Sequence, residues 1–214
     1  MTDKVDFKKS LDAYQARRGE IRILDVPPTR YLMVDGRGDP NTSPDFAQAI
    51  EALYPVAYKV KFASKKEVGR DYVVPPLEGL WTADDPSAFT TRRDKSAWRW
   101  TLMIMTPGWV DDALVETARE TARETARKAA AAKGAPPRLD DVRLETLAER
   151  RCVQTLHVGS FDDEGPVLAR IHDEFIPGNS LRMTGRHHEI YLSDFRKVAP
   201  EKLRTILRQP VAPA

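Results

Sequence analysis

Two stretches of this chain follow the same plan, and that plan constrains the fold more than any other feature. The first runs Arg30-Tyr-Leu-Met-Val-Asp-Gly36, then a turn rich in Gly, Pro, Asn and Ser, then Pro44-Asp-Phe-Ala-Gln-Ala-Ile-Glu-Ala-Leu-Tyr54. The second runs Val153-Gln-Thr-Leu-His-Val-Gly159, then Ser-Phe-Asp-Asp-Glu-Gly, then Pro166-Val-Leu-Ala-Arg-Ile-His-Asp-Glu-Phe175. Each reads as a strand, a glycine where the chain turns, an acidic cap region and a helix that opens with proline. Proline suits the first helical turn, where its missing N–H is no loss. Phe46, Ala49, Ile50 and Leu53 recur at helical spacing in the first copy, as do Val167, Leu168, Ile171 and Phe175 in the second. Extended chain is expected after each helix, at 57–62 and at 187–192. Two such copies of a strand-helix-strand unit predict an α+β fold with pseudo-two-fold symmetry. The predicted layout is one domain over 1–214, with repeat A at about 20–105, a helical insertion at about 110–150 and repeat B at about 151–208.

Other segments fill in around the repeat. Residues 21–26 read as a short strand ended by Pro27-Pro28. Residues 98–105 read as a strong strand, with Trp98, Trp100, Leu102 and Ile104 on one side. The stretch 111–133 carries Glu-Thr-Ala-Arg three times in succession and then an alanine run. Glu and Arg three apart support a helix, and the glutamates cancel the field of Arg119, Arg123 and Arg127. A second helix is expected near 141–150, with Val142, Leu144, Leu147 and Ala148 as its inner face. The Pro/Ala-rich tail after Arg208 is expected to fray.

Composition narrows the class of function. With 34 Lys and Arg against 32 Asp and Glu, interspersed along the chain, the net charge of +2 gives no basis for nucleic-acid binding. No stretch is apolar enough to span a membrane. Lys4, Asp6, Lys8 and Lys9 interrupt any apolar leader, so the expected location is cytoplasmic. The single cysteine, Cys152, excludes an internal disulfide and reads as a structural thiol. No Cys/His/Asp spacing resembles a metal site, and no phosphate loop is present, so neither metal nor cofactor is expected. His187 and His188 are adjacent, so in a strand they point to opposite faces.

Aromatics beside carboxylates remain. Glu189 and Tyr191 are two apart, so a strand presents both on one face, while Ile190 and Leu192 face the other way. A buried carboxylate is costly unless it is paired, so each one is either satisfied internally or placed for a ligand. Glu78 stands beside Trp81 in Pro75-Pro-Leu-Glu-Gly-Leu-Trp81. Trp81, Trp109 and Tyr191 lie near Gly, Pro or Glu at the edges of elements, where a cleft between two units is expected. Met103 and Met105 add adaptable apolar surface, and Tyr31 and Tyr72 add further rings. Glu78 and Glu189 would attract a cationic or electron-poor planar ligand against aromatic faces.

Six segments carry a family resemblance. Met33-Val-Asp-Gly-Arg-Gly-Asp-Pro-Asn41, Ala49-Ile-Glu-Ala-Leu-Tyr54, Tyr58-Lys-Val-Lys-Phe62, Pro76-Leu-Glu-Gly-Leu-Trp81, Trp100-Thr-Leu-Met-Ile-Met-Thr-Pro107 and Glu189-Ile-Tyr-Leu-Ser-Asp194 resemble the GyrI-like small-molecule-binding proteins. They look most like the stand-alone bacterial branch that includes multidrug-binding proteins and cyclopropanoid cyclopropyl hydrolases. Thr82 and Phe195 depart from the pattern, where a second aromatic and a proline are common. The resemblance implies two strand-helix-strand-strand units enclosing a cleft lined by aromatics and acids. It implies a planar aromatic small-molecule ligand, with no nucleic-acid or membrane partner, held by a monomer or homodimer. It also implies hydrolysis of cyclopropane-bearing DNA-alkylating compounds, with Glu189 as base and Tyr191 as donor or orienter. Trp81, Glu78, Trp109, Met103, Met105, Tyr31 and Tyr72 would then line the ligand. Sequestration of cationic drugs without catalysis is a second implied role, and contact with DNA gyrase a third.

Overall fold

The computed structural model describes residues 4–85, 94–133 and 138–214, with side chains throughout except at 126–133. The fold is α+β. Its described helices are α1 (Phe7–Ser10), α2 (Pro44–Ala63), α3 (Asp112–Lys133), α4 (Gly165–Ala169) and α5 (Ile176–Gly178). The strands are β1 (Arg22–Val26), β2 (Thr29–Arg37), β3 (Leu77–Ala83), β4 (Trp98–Thr106), β5 (Arg143–Leu147), β6 (Arg150–Val158), β7 (Leu181–Met183), β8 (His187–Tyr191) and β9 (Arg204–Pro213). The chain forms two compact units that alternate along the sequence. The first comprises Met1–Phe7, Thr29–Pro75 and Thr82–Leu147, and the second Lys8–Pro28, Pro76–Trp81 and Ala148–Ala214.

In the first unit β2 is central, antiparallel to β4 on one side and to β5 on the other. Helix α2 packs on β2 and β4, and α3 packs on α2. Asp39 folds the turn before α2 by accepting from the Asn41 backbone N–H at 2.9 Å, an Asx turn that needs a short acceptor side chain. Gly36 is obligatory for a different reason. A Cβ there would lie 2.0 Å from the Trp100 ring, because the indole crosses the bare backbone of its register partner. The same indole meets Phe46 of α2 edge-on at 5.2 Å, so it belongs to the core.

Three local expectations are corrected in this unit. Residues 57–62 are not extended. They continue α2, because Ala57 and Val60 prolong the buried face of Phe46, Ala49, Ile50 and Leu53, and Pro55 removes one N–H without ending the helix. The expected helix at 141–150 is absent, and among the described residues the insertion is helical over α3 and a short 3-10 turn, Leu139–Asp141. Residues Arg143–Leu147 instead form strand β5 against β2. Charge guards that edge: Arg143 pairs with Asp35 at 3.0 Å and with Glu145 at 2.8 Å. Helix α3 itself is as expected, with Leu114, Val115, Ala118 and Ala122 buried and Arg119 held by Glu116 at 2.7 Å.

In the second unit the strand order is β1-β6-β9-β8-β3, with β7 also on β9, all antiparallel. The helix after β6 is interrupted. α4 passes into a π-helical stretch, Arg170–Phe175, and then α5. Its Ile171 and Ile176 pack with Val153, Leu207 and Val211, and Val167, Leu168 and Phe175 flank them. The tail after Arg208 does not fray. It forms the second half of β9, pairs with both β6 and β7, and is buried as far as Val211. Cys152 lies buried in β6 with its thiol pushed up to about 12 by burial and by the charge of Glu149.

Each unit thus contains a strand, a helix opening with proline, and a closing strand antiparallel to the first: β2, α2 and β4 in one, β6, α4–α5 and β9 in the other. Both helices also contain a π-helical turn, Ser64–Val68 in the first unit and Arg170–Phe175 in the second.

Candidate functional site

Strand β8 runs between β9 and β3. The register pairs Glu78 with Ile190, Gly79 with Glu189, Leu80 with His188 and Trp81 with His187. Paired residues share a face, and successive residues alternate. One face of this strand pair therefore carries Gly79, Trp81, His187, Glu189 and Tyr191. The other carries Glu78, Leu80, His188 and Ile190.

The second of these faces is electrostatically closed. His188 meets Glu78 at 2.8 Å through Nε2 and Glu149 at 2.9 Å through Nδ1. Arg208 donates to Glu149 at 3.0 Å, to Gln154 at 3.0 Å and to the Ala13 carbonyl at 2.5 Å. Tyr14 donates to the remaining oxygen of Glu78. Glu78 and His188 are both 0% exposed. Burial disfavours the charged form of His188, but Glu149 and Glu78 outweigh it and raise its pKa, so both ring nitrogens donate. Burial likewise opposes ionisation of Glu149, yet His188 and Arg208 hold its carboxyl down at about 2. Two carboxylates are matched by one imidazolium and one guanidinium, the condition under which buried charge is tolerated.

The first face is different. Trp81 donates through Nε1 to the Tyr191 hydroxyl at 3.1 Å. A Cβ on Gly79 would lie 3.0 Å from both of those atoms, so the pair rests over bare backbone. Phe161 and Phe195 meet the Tyr191 ring edge-on at 5.7 and 6.0 Å. Burial pushes the Tyr191 phenol well above its usual range, and the neighbouring Glu189 pushes it further. Glu189 in turn lies 3.6 Å from His187 Nε2.

Around this group sit buried polar atoms with no hydrogen-bond partner among the described residues: Glu164 Oε1, both ring nitrogens of His187, and Nε2 of His172. His172 stands edge-on to His187 at 6.1 Å, and burial, then His187, hold its pKa down at about 4. Glu164 is 4% exposed. Burial raises its pKa well above the carboxylate range, and the charges of Glu189 and Asp162 add to that. Native proteins leave few buried polar atoms unpaired, and such a cluster marks a place prepared for something else.

The residues named from sequence divide between the units. Trp81, Glu189 and Tyr191 come together on one face in the second unit. Glu78 belongs to the opposite face of the same strand pair and is fully partnered there. The others lie in the first unit. Tyr31 and Met105 are register partners on β2 and β4, buried with Met103. Trp109 donates to Ser64 Oγ at 2.9 Å and packs against Phe7 and Tyr72, with the Arg70 guanidinium 5.0 Å over its ring. The sequence reading missed Glu164, His187, His172, Phe161 and Phe195. His187 was accessible to the alternation that linked Glu189 to Tyr191. Phe161 and Glu164 follow from a 3-10 turn, His172 from a π-helical stretch and Phe195 from a turn after β8, for which the sequence has no distinct spacing.

Among the described residues no group of three or more His, Cys, Asp and Glu side chains is arranged to hold a metal ion, and no helix is long and apolar enough to cross a membrane.

Comparison with known proteins places this architecture. An uncharacterized conserved protein from Listeria innocua is 37% identical, the match covering 98% of this chain and 100% of that one at a TM-score of 0.85. Residues 109–212 match the model of the GyrI-like small molecule binding domain. The chain belongs to the GyrI-like family. A second GyrI-like relative, described as a hydrolase from Listeria innocua, is 36% identical over 98% of this chain and 100% of its own, at a TM-score of 0.82. The C-terminal domain of EcmrR shares the fold at 11% identity, over 91% of this chain and 98% of that one, at a TM-score of 0.54. None of the curated proteins compared with the chain matches it.

Proposed function

We propose that the Trp81–Glu189–Tyr191 face binds planar aromatic, lipophilic or cationic molecules and hydrolyses cyclopropane-bearing, DNA-alkylating ones. The observation that carries this reading is the convergence of an indole N–H, a phenol and a carboxylate on one face, amid buried polar atoms without partners. The hydrolase description of the Listeria relative supports it from outside the chain.

In such a substrate the cyclopropane is conjugated to a dienone. Water attacks the ring methylene, and Glu189 accepts the proton that the water loses. The carbon–carbon bond of the small ring breaks, and its electron pair moves into the dienone to give a phenolate. That oxygen then takes up a proton, so the net change is addition of one water. Tyr191, beside Glu189 and fixed by Trp81, orients the carboxylate. Trp81, Phe161 and Phe195 supply ring surface for a planar ligand.

The test is incubation of the protein with a cyclopropane-bearing alkylator in isotopically labelled water, followed by mass spectrometry. The expected product is heavier by one labelled water. Tight binding without that product would remove hydrolysis from the reading and leave a sequestering protein.

A further inference from the structure

We propose that the outward face of α2 is the surface through which two copies of this chain pair, antiparallel and centred near Tyr58. The pairing does not depend on the function proposed above, and every residue in it belongs to the first unit.

Helices α2 and α3 expose different chemistry. On α3 the exposed positions include Glu116, Thr117, Glu120, Thr121, Glu124 and Thr125, side chains that water solvates well. Helix α2 buries an apolar stripe from Phe46 to Val60 and packs on β2, β4 and α3. Its core-facing work is done by that stripe. The opposite face nevertheless carries Tyr58 and Phe62, 49% and 56% exposed, with Tyr54 and Pro55 half-buried beside them. Residues three and four apart share a helix face, so Glu51, Tyr54, Pro55, Tyr58 and Phe62 form one line along α2. The Tyr54 and Tyr58 rings stack within it, their centroids 6.4 Å apart. Val68 is exposed just past the helix, as are Val5 and Val73, which a backbone hydrogen bond of 2.8 Å joins. Large apolar side chains grouped on a surface in this way mark a place of contact.

The charges at the two ends of the line say what covers it. Glu51 begins it, and Lys66, four residues after Phe62, ends it. Both are exposed, and neither makes an ion pair among the described residues. Lys61 and Lys65 differ, because Asp71 holds them at 3.2 and 3.3 Å. At the helical rise, Glu51 lies about 10 Å before Tyr58 and Lys66 about 12 Å after it. A two-fold axis near Tyr58 therefore sets Glu51 of each copy against the partner's Lys66, with the aromatic rings closed over one another between the two ion pairs. A parallel mate in register would instead set Glu51 on Glu51 and Lys66 on Lys66. An anionic lipid surface would cover the rings but repel Glu51. The face is complementary to itself, and only when one copy is reversed.

Its size sets the strength. A helix face roughly 30 Å long and 10 Å wide buries about 300 Å² per copy, against about 800 Å² in a standard stable complex. The pairing is therefore weak, dependent on concentration and reduced by salt.

Sedimentation equilibrium of the full chain, from low micromolar to near-millimolar concentration at low salt, measures it. A monomer–dimer equilibrium is expected. Phe62→Ser, checked for folding by circular dichroism, is expected to weaken the dimer about a hundredfold, because both copies lose a ring. Glu51→Lys and Lys66→Glu are each expected to weaken it about tenfold, because each brings like charges together twice. The double variant Glu51→Lys/Lys66→Glu is expected to pair within about threefold of the unaltered protein, since the reversed charges again meet their opposites.

A chain that stays monomeric over the whole range overturns the inference. A dimer that Phe62→Ser leaves unchanged also overturns it, by placing the contact elsewhere. A double variant no better than the single ones overturns the antiparallel register. Flotation with vesicles of phosphatidylcholine and phosphatidylglycerol tests the lipid alternative: vesicle binding by a monomeric chain, abolished by Phe62→Ser, would give the face to a membrane and overturn the inference.

Discussion

The two faces of β8 differ by one residue in sequence and by their whole electrostatic design. His188 points into a set of charges that is complete: every acid has a cation, and Tyr14 and Gln154 occupy remaining sites. Glu189, the next residue, points into a set that is not, with four buried polar atoms on Glu164, His187 and His172 making no hydrogen bond among the described residues. Glu78 and His188 are fully buried on one side, and Glu189 and His187 half-buried on the other, where Trp81, Tyr191 and Glu164 are buried. What separates a structural charge from a functional candidate here is the presence of a counter-charge.

The comparison breaks most visibly if the closed face is opened. Arg208→Leu leaves Glu149 with His188 alone, and removing one partner from a buried pair typically costs about 3–5 kcal/mol. Urea unfolding should show a loss of that order. A loss below about 1 kcal/mol would mean that the network is not the anchor described here.

Glu189→Gln acts on the other face. The fold should persist, hydrolysis should fall by roughly a hundredfold, and cation affinity should drop by about 1–3 kcal/mol. Neutral planar ligands should bind as before, as read by tryptophan quenching. Tyr191→Phe should lower turnover less, because the carboxylate remains and only its orienting group is gone. Full turnover and unchanged cation affinity in Glu189→Gln would return that residue to a structural role.

A smaller effect appears in the pH dependence of stability, where the faces have opposite signs. Glu149, with a folded pKa of about 2 against 4.5 when unfolded, contributes stability that is present above 4.5 and lost as pH falls towards 2. His188, raised above 6.5, contributes stability that is complete below 6.5 and lost as pH rises through its folded value. Glu164 is raised above 4.5, so its burial costs stability progressively as pH rises above 4.5. Glu164→Gln should therefore gain on the unaltered protein from pH 5 upwards, measured by urea midpoints. A constant offset at all pH values would contradict the assignment.

The smallest effect is expected in the first unit. Removing residues 124–127, the third Glu-Thr-Ala-Arg repeat, leaves the Glu116–Arg119 pair and the Arg123–Asp140 contact of 2.6 Å in place. Ligand affinity should stay within a few-fold. A loss on the order of a hundredfold, in a chain shown to be folded, would bring α3 into ligand binding.

The repeat was legible because its strands and proline-led helices carry distinct periods. The inner face of α2 was found as far as Leu53, but Ala57-Tyr-Lys-Val-Lys-Phe62 also alternates with a period of two, and that pattern masked its continuation. β5 was misread because Val142, Leu144 and Leu147 fit either period over so short a span. In the site, alternation along β8 was sufficient to place Glu189 with Tyr191. It gave no means of telling that Glu78 would meet His188 and Tyr14. Those partners come from distant segments, and charge pairing across 64 to 110 residues leaves no local pattern.

Cys152 bears on how such a protein would survive its own substrates. Alkylating compounds react first with thiolates, and this chain has one sulfhydryl, buried in β6 and kept protonated up to about 12. Under the proposed function the folded protein therefore offers its substrates no competing thiolate. Each encounter can end in release of a spent compound, with the protein left unmodified and free to act again.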